Sequence, residues 1–402
     1  MKFVKYIVIA LSVILLAWFV PSVVKLTEGG RKIDPFIYYS SVDKEFILSQ
    51  HENNVMTRKN YKTGRIYNKT ETDSILPMLN YRQLLSDGRM PDSIHGVAVP
   101  VKQIKRKSVI FKQQPTNKNK PVIPIYRLFE AFSGRVDLEM PSDVFRIDDK
   151  IEFIEPKTNS VNEEKSQQFM KRLEKVSFAF PAKMAAGNPN VRKAYEEGYF
   201  ITDNNDDIFH VKLVNGKPFV RNTNKPEGIE PVFVRTIEPS DRSFYAFVFD
   251  KNKKLYIITS DNYKYVEIPC PDFNIDRDGL MVLGNMLYWN VIVTSAEKKE
   301  VYALDSKTKE LVDQITIEKE KPAEKLTSYI FPFTITFSSY YTEFVNPKIS
   351  LGNIYVLLFN LLALVAYVGI RKYKSRKMKL SSVLVVAFTG IYGLVASLIF
   401  NK

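Results

Sequence analysis

FITDNNDDIFHVKLVNGKPFV (200–220) is the first of three segments in which short apolar strands alternate with polar turns. The same pattern returns in FVFDKNKKLYIITSDNYKYVEI (247–268) and in VIVTSAEKKEVYALDSKTKELVDQI (291–315). Alternation of apolar and polar residues between turn residues is the signature of half-buried strands joined by hairpins. Each segment therefore predicts a meander of antiparallel strands, and the recurrence predicts that one kind of sheet is built three times.

Three aromatic residues set the length of this repeat. Phe209, Tyr256 and Tyr302 occupy matching places in the three segments and are 47 and 46 residues apart. A repeat of about 40–50 residues made of hairpins is typical of a β-propeller blade. We therefore predict a mainly β, β-propeller-like domain in which the three aromatic side chains occupy equivalent, largely buried positions. A β-sandwich with regular strand spacing is the alternative interpretation.

The region before the repeats is less regular, with short helical insertions on a β scaffold. Alternating apolar residues predict strands over 36–48, 97–104 and 107–114. Helices are predicted over 76–88, over 161–175 after a capping box of Ser160 and Glu163, and over 188–198 between Pro189 and Gly198.

Three long uncharged runs lie near the ends of the chain. They cover 6–24, 351–370 and 380–400, and each approaches the roughly 20 residues that cross a bilayer as a helix. The first is either an uncleaved anchor or a signal peptide, although no A-x-A-like cleavage site follows it. The predicted organisation is an N-terminal transmembrane anchor (1–25), a periplasmic β-propeller-like domain (26–349) and a transmembrane helical hairpin (350–402).

Positive charge predicts the orientation of these spans. The connector RKYKSRKMK (371–379) carries six cations in nine residues, which is typical of a cytoplasmic loop, and Lys2 and Lys5 place the N-terminus on the same side. We therefore predict an inner-membrane protein whose large domain is periplasmic. Once these cations and Lys402 are set aside, the net charge of +14 falls to +5, which predicts no nucleic-acid partner.

Few residues suggest catalysis or metal binding. The chain has one cysteine and three widely separated histidines, and it lacks the GxxxxGK[ST], GxGxxG and GxSxG motifs. The loop NIDRDG resembles the first half of a calcium loop and makes Asp272, Asn274, Asp276 and Asp278 a calcium candidate. A polar turn between blades is the alternative, because the twelfth position of the loop is an asparagine and not a glutamate. No other cofactor is predicted.

Polar and small residues inside the apolar runs predict contacts between helices. Asn360 lies within the second run, and Thr389, Gly393 and Ser397 recur every four residues in the third. An amide in hydrocarbon needs a hydrogen-bonding partner, and a stripe of small residues lets another helix approach closely. These four residues serve either the pairing of the two C-terminal spans or the docking of a larger membrane partner.

Three stretches resemble an uncharacterised family from Bacteroides-type bacteria. They are LPMLNYRQLL through PDSIHG (76–96), FPAKMAAGNPNVRKAYEEGYFITD (180–203) and IFHVKLVNGKPF (208–219). Members of that family combine membrane helices with a propeller-like extracytoplasmic domain and are encoded beside ABC-transporter subunits. The resemblance implies a non-catalytic accessory or sensory subunit of an inner-membrane ABC-type transport assembly, with a permease or another membrane subunit as partner. An envelope sensor or scaffold, or an extracytoplasmic enzyme, are the alternatives.

Overall fold

The computed structural model describes residues 2–27, 34–52, 55–135, 137–319, 326–337 and 339–400. The chain divides into two compact units. We call Asp34–Lys319 the β unit, and we call Met1–Ile33 together with Glu320–Lys402 the helical unit. Residues 320–349, which the sequence analysis placed in the periplasmic domain, thus group with the helices.

The helices among the described residues range from one turn to seven. They are α1 (Lys2–Thr27), α2 (Lys69–Ile75), α3 (Pro77–Ser86), α4 (Val101–Arg106), α5 (Pro115–Lys118), α6 (Glu163–Lys175), α7 (Leu326–Ile330), α8 (Val356–Tyr373), α9 (Leu380–Thr389) and α10 (Ile391–Phe400).

Strands are the main regular structure of the β unit and outnumber its helices. The first half contains β1 (Phe36–Tyr39), β2 (Phe46–Glu52), β3 (Val55–Asn60), β4 (Ile66–Tyr67), β5 (Ser93–Ile94), β6 (Val97–Ala98), β7 (Val109–Gln113), β8 (Val144–Ile147), β9 (Ile151–Glu155) and β10 (Ser160–Val161). The second half contains β11 (Met184–Gly187), β12 (Tyr199–Thr202), β13 (Ile208–Val214), β14 (Lys217–Asn222), β15 (Pro231–Thr236), β16 (Phe244–Asp250), β17 (Leu255–Thr259), β18 (Tyr265–Ile268), β19 (Gly279–Gly284), β20 (Tyr288–Thr294), β21 (Lys298–Asp305) and β22 (Leu311–Glu318). The helical unit adds β23 (Phe333–Thr336) and β24 (Lys348–Leu351).

The β unit contains the two-stranded ribbon β5–β6 and five larger antiparallel sheets, most of which follow chain order. Their strand orders are β1-β2-β3-β4 (sheet 1), β22-β21-β20-β19-β7 (sheet 2), β15-β16-β17-β18 (sheet 3), β11-β12-β13-β14 (sheet 4) and β10-β9-β8 (sheet 5). The mainly β prediction is confirmed. Sheets 2, 3 and 4 each contain one of the three repeat segments.

Apolar clusters join these sheets face to face in one series. Ile37 of sheet 1 packs with Ile292 of sheet 2, whose opposite face packs against Phe247 and Phe249 of sheet 3. Val248 on the other face of sheet 3 meets Phe200 of sheet 4. Sheet 4 then buries its second face against sheet 5 and α6. A series of up-and-down sheets packed face to face is propeller-like.

The three repeat aromatics lie on the third strands of their meanders, but their environments differ. Phe209 pairs with Ile201 and Tyr256 with Val248, in both cases two residues from the hairpin. Tyr302 pairs with Val291, two residues further from its own hairpin. Phe209 is 1% exposed, whereas both tyrosines are only partly buried. Equivalent positions are therefore confirmed for Phe209 and Tyr256, and the prediction that all three are largely buried is wrong.

Several local predictions can be compared with this fold. The strand predictions over 36–48 and 107–114 are confirmed by β1, β2 and β7, and the helix over 76–88 by α3. The strand predicted over 97–104 is confirmed only for β6, which ends at Ala98. Beyond it Pro100, which has no N–H for a ladder, stands at the N-cap of α4. Helix α6 is confirmed, although its N-cap is Asn162 and not Ser160.

The helical unit contains two helices that are long and apolar enough to cross a membrane, as far as the described residues extend. They cover Phe3–Leu26 and Val356–Tyr373. The ribbon β23–β24 packs on α1, where Phe331 and Ile335 join Val13 and Ala17 in one cluster. This packing explains why residues before 350 belong with the helices.

The third apolar run forms two short helices and not one span. Gly390 has a φ of +54°, which ends α9, and α10 then folds back along it. A Cβ added at Gly393 would lie 2.7 Å from the carbonyl oxygen of Val385, and Leu398 lies beside Arg371 at the end of α8. Ten residues of helix extend only about 15 Å, which is half of a bilayer core. In place of the single helical span predicted over 380–400, the chain forms a hairpin of two short helices, α9 and α10.

Candidate functional site

The loop that joins β11 to β12 carries the largest group of buried charges in the β unit. The sequence predicted a helix over 188–198, but these residues form an irregular loop. Carboxylates accept hydrogen bonds from backbone N–H groups that would otherwise bond within a helix. Glu238 accepts from the N–H of Glu197 at 3.0 Å, and Glu196 accepts from the N–H of Gly198 at 2.6 Å. The helix prediction is wrong because these side chains turn inward.

One lysine lies between two glutamates in this loop. The Nζ of Lys193 is 2.9 Å from Glu196 Oε2 and 2.6 Å from Glu238 Oε1. The Nδ2 of Asn188 donates to Glu238 Oε2 at 2.8 Å. The exposed fractions of the lysine and the two glutamate side chains are 9%, 2% and 3%. We call Asn188, Lys193, Glu196 and Glu238 the ion cluster.

The charge balance of the ion cluster makes it sensitive to protons. Two carboxylates share one ammonium, and burial raises the pKa of Glu196 to about 7, partly offset by Lys193. Burial penalises the ionised form of a carboxyl group, so a proton is held at a pH where an exposed glutamate has lost it. Strongly shifted pKa values of this kind are found at functional sites as well as in structural ion pairs.

His210 lies next to this loop and is held neutral. Its Nδ1 accepts from the hydroxyl of Tyr263 at 2.8 Å, and its Nε2 donates to the carbonyl oxygen of Glu197. Burial, together with the charge of Lys212, lowers the pKa of His210 to about 3. The ring stacks on Phe200 with 4.4 Å between centroids. His210 therefore serves packing and hydrogen bonding in the core.

The ion cluster connects two neighbouring sheets. Lys193 and Glu196 belong to the loop that enters sheet 4, whereas Glu238 follows β15 of sheet 3. The Tyr195 hydroxyl adds a 2.6 Å hydrogen bond to the carbonyl oxygen of Pro239. The arrangement can hold or release a proton at Glu196, and it couples that proton to the contact between two sheets.

The calcium candidate forms a turn that is closed by its own side chains. Asp278 accepts from the N–H of Asn274 at 2.7 Å, and Asn274 accepts from the N–H of Asp276 at 2.9 Å. The Nζ of Lys118 lies 2.7 Å from Asp276, where it provides the positive charge beside that carboxylate. Within the described ranges, no group of three or more His, Cys, Asp or Glu side chains is arranged to hold a metal ion. Calcium binding at Asp272, Asn274, Asp276 and Asp278 stays a prediction.

The residues predicted to contact a membrane partner lie together in the helical unit. The Nδ2 of Asn360 donates to the carbonyl oxygen of Ala387 at 3.1 Å. Thr389 donates to Val385 at 2.6 Å, and Gly393 and Ser397 are buried where α10 packs. These contacts support the pairing of the C-terminal helices, and docking of a further partner through the same residues stays a prediction.

A cavity and a cysteine are two further features of the β unit. A cavity of about 340 Å³ lies beside Arg89, Ser93 and His95, but the guanidinium of Arg89 is bonded to Asp87 at 2.7 Å and to Ser74 at 3.0 Å. Burial, reinforced by nearby carboxylates, raises the pKa of the Cys270 thiol to about 12, which disfavours the reactive thiolate.

Sequence reasoning did not identify the ion cluster. Glu196 and Glu197 stand side by side before Gly198, which resembles the exposed end of a helix. Glu238 is more than forty residues away in the chain, and no local spacing connects it to Lys193. The one available signal was a dense set of charges in a loop between strands that are almost fully apolar.

Comparisons with known proteins identify a family but no activity. The solved Dos1 propeller is similar at a TM-score of 0.26 and 8% identity, and the match covers 71% of this chain and 65% of that one, less than two thirds of its length. No curated protein matches the chain. The family model described as a domain of unknown function (DUF4857) matches residues 36–304, which is nearly all of the β unit and more than half of the sequence. The chain belongs to the DUF4857 family.

Proposed function

We propose that the protein is a non-catalytic accessory or sensory subunit of an inner-membrane ABC-type transport assembly, with the β unit as its periplasmic binding domain. The observation that carries this proposal is the outward apolar surface of the helical unit. Only 22% of the most apolar window of α1 and 28% of that of α8 are buried within the chain. Such surfaces need lipid or a protein partner to cover them.

The outer face of α8 is the strongest candidate for contact with a membrane subunit. Leu357, Leu361, Leu362 and Val365 are each more than half exposed, whereas Tyr367 on the opposite face is fully buried. The α9–α10 hairpin uses its small residues internally, so it leaves α8 and α1 to face outward. The resemblance to proteins encoded beside ABC-transporter subunits supports a transport assembly as the partner.

A sensory role for the β unit is favoured by the ion cluster. Glu196 changes its protonation near neutral pH, and its partners belong to two sheets. A ligand or a pH change that alters this contact would change the packing between the sheets. An envelope sensor or scaffold outside a transport assembly is therefore the second candidate function.

Fusions to alkaline phosphatase test the membrane orientation. We expect an active enzyme after Asp250 and an inactive enzyme after Lys379, because the six cations of the connector should stay in the cytoplasm. A fusion after Phe400 should also be inactive, since α10 returns to the end of α8 that carries Arg371. Fluorescent-protein fusions at the same positions should give the opposite pattern. Activity after Phe400 would show that 380–400 crosses the membrane, and inactivity after Asp250 would remove the periplasmic assignment.

Photo-crosslinking tests the assembly. A photoreactive residue at Leu361 or Val365, which are 56% and 62% exposed, should yield an adduct whose partner is an ABC permease or nucleotide-binding subunit by mass spectrometry. The matched control is the same residue at Tyr367, which is 0% exposed and should yield no intermolecular adduct. Adducts with lipid alone at both exposed positions would reduce the helical unit to an anchor and contradict the proposal.

A further inference from the structure

The β23–β24 ribbon of the helical unit has one apolar face and one polar face. Residues that pair directly across two antiparallel strands lie on the same face, and successive residues of a strand alternate between faces. The apolar face consists of two cross-strand pairs, Phe333–Leu351 and Ile335–Ile349. The polar face consists of the other two pairs, Thr334–Ser350 and Thr336–Lys348. The ribbon is therefore amphipathic.

The apolar face is covered on one strand and exposed on the other. Ile335 is 7% exposed and Phe333 is partly buried, because both pack in the cluster that contains α1 and Tyr392 of α10. On the neighbouring strand Ile349 is 68% exposed and Leu351 is 81% exposed. Adjacent apolar side chains with this exposure mark a surface that contacts lipid or protein.

The chain that follows the exposed strand is held in place by hydrogen bonds. The N–H of Gly352 donates to the carbonyl oxygen of Pro332 at 3.0 Å, and the N–H of Asn353 donates to that of Ser328 at 2.9 Å. The next residue, Ile354, is 76% exposed. The exposed apolar surface of the ribbon thus continues along the chain as far as α8.

The apolar part of α8 is short for a membrane span. It covers 356–370, because Arg371 follows, and these fifteen residues of helix extend about 22 Å. The hydrocarbon core of a bilayer is about 30 Å thick. Ile349, Leu351 and Ile354 belong to the same uncharged run, which begins after Lys348. They can therefore supply the missing apolar length at the end of α8 that is opposite to the connector.

Aromatic side chains with polar tips lie beside the ribbon. Trp18 of α1 contacts Phe337 edge-on, with 5.8 Å between the ring centroids. Tyr340, in the segment between the two strands, and Tyr355, at the start of α8, are both more than half exposed. Tryptophan and tyrosine are enriched where hydrocarbon meets the lipid headgroups. Together with the short apolar length of α8, these residues favour lipid as the cover of the exposed strand.

We propose that the apolar face of β23–β24 lies in the periplasmic leaflet of the bilayer, where Ile349 and Leu351 contact acyl chains next to the headgroups. The polar face, with Lys348, then contacts headgroups and water. The sheet has two strands, so each has one edge outside the ladder, and backbone groups at such an edge need water or headgroups as partners. The ribbon therefore lies along the membrane surface and does not cross it. The inference rests on the membrane placement proposed above.

Spin labelling of the full chain in bilayers of phosphatidylcholine and phosphatidylglycerol measures this contact. Nitroxide labels are attached to Ile349→Cys and Leu351→Cys on the apolar face. Lys348→Cys and Ser350→Cys on the polar face of the same strand are the matched controls, and all four positions are exposed. The background is Cys270→Ala, and a second series retains Cys270 with the labelled wild type as the blank. Collision rates with oxygen, which partitions into hydrocarbon, and with a water-soluble nickel chelate give the depth of each label.

We expect the labels at 349 and 351 to lie about 5–10 Å below the headgroup boundary, and those at 348 and 350 to lie at the boundary or in water. The depth should thus alternate with the period of two residues of a strand. Equal access of the nickel chelate to all four labels would place the ribbon in water and overturn the proposal. Labels at 349 and 351 that neither reagent reaches would show that protein covers this face, and they would overturn lipid as the partner.

A label at Leu11→Cys distinguishes failure of this inference from failure of the membrane placement. Leu11 is 59% exposed and lies within the apolar helix Phe3–Leu26. A deep label at this position, combined with labels in water at 349 and 351, would remove the ribbon from the bilayer and leave α1 in it. A label at Leu11→Cys that the nickel chelate reaches would contradict the membrane placement itself.

Discussion

Phe209→Ala is expected to lower the free energy of unfolding of the β unit by about 3–5 kcal/mol, the usual cost of truncating a buried phenylalanine. The Phe209 side chain is 1% exposed and packs in the cluster that joins sheet 4 to sheet 5 and α6. Its ring lies 4.9 Å from that of Phe178, so the truncation also removes an aromatic pair. Urea unfolding of the full chain, followed by Trp289 fluorescence in a Trp18→Phe background, measures the change.

Tyr256→Ala is the matched control for this truncation. Tyr256 has the same register as Phe209, but it lies at the margin of the cluster between sheets 3 and 4 and is only partly buried. Its truncation should cost about 1 kcal/mol, as expected when a partly exposed side chain is shortened. The expected difference in stability between the two variants arises from the sheet that covers each side chain. Equal losses of unfolding free energy in Phe209→Ala and Tyr256→Ala would therefore mean that the sheets do not stack in the order described.

The repeat could be predicted because its signals are local. A hairpin turn such as Asn215-Gly216, where both residues have positive φ, is specified by two adjacent residues. The alternation of apolar and polar residues in a strand can also be seen directly in the sequence. Burial was harder to predict. Whether Phe209 or Tyr302 is covered depends on which sheet stands opposite, and that partner is far away in the chain.

The wrong predictions for 188–198 and 380–400 have the same physical origin. The 188–198 loop has the composition of a helix, but Glu238, which follows β15 and is far away in the chain, accepts a hydrogen bond from the N–H of Glu197. The run over 380–400 has the composition of a membrane span, yet Gly390 allows a positive φ and α10 turns back. In both segments a tertiary contact or a single backbone conformation outweighs the pattern of the surrounding residues.

Lys193→Met is expected to lower the free energy of unfolding by about 3–5 kcal/mol at pH 8, because it leaves two buried carboxylates without their shared ammonium. Lys193 lies within 2.9 Å of Glu196 and 2.6 Å of Glu238, and all three side chains are nearly inaccessible. The matched control is Lys183→Met, which breaks an ion pair with Asp206 whose side chains are 43% and 40% exposed. A pair of that kind contributes about 1 kcal/mol or less.

The loss should depend on pH with a definite sign. Burial raises the pKa of Glu196 to about 7 in the folded chain, above the 4.5 of an exposed glutamate. The folded state therefore holds more protons between these values, and stability falls as the pH rises through this window, by up to about 3 kcal/mol in the wild type. Without Lys193 the carboxyl group holds its proton still more tightly, so the variant should recover most of its stability near pH 5.

Glu196→Gln distinguishes the effect of the proton on Glu196 from the effect of side-chain packing. The amide cannot ionise but keeps an oxygen for the N–H of Gly198, so this variant should lose most of the pH dependence between pH 5 and pH 8. The double variant Lys193→Met/Glu196→Gln should be more stable at pH 8 than Lys193→Met alone, because one buried charge is gone. Two results would contradict this prediction: a loss of unfolding free energy in Lys193→Met no larger than in Lys183→Met, or a loss that is the same at pH 5 and pH 8. In either case the ion cluster does not control the contact between sheets 3 and 4 and is no candidate for a sensor.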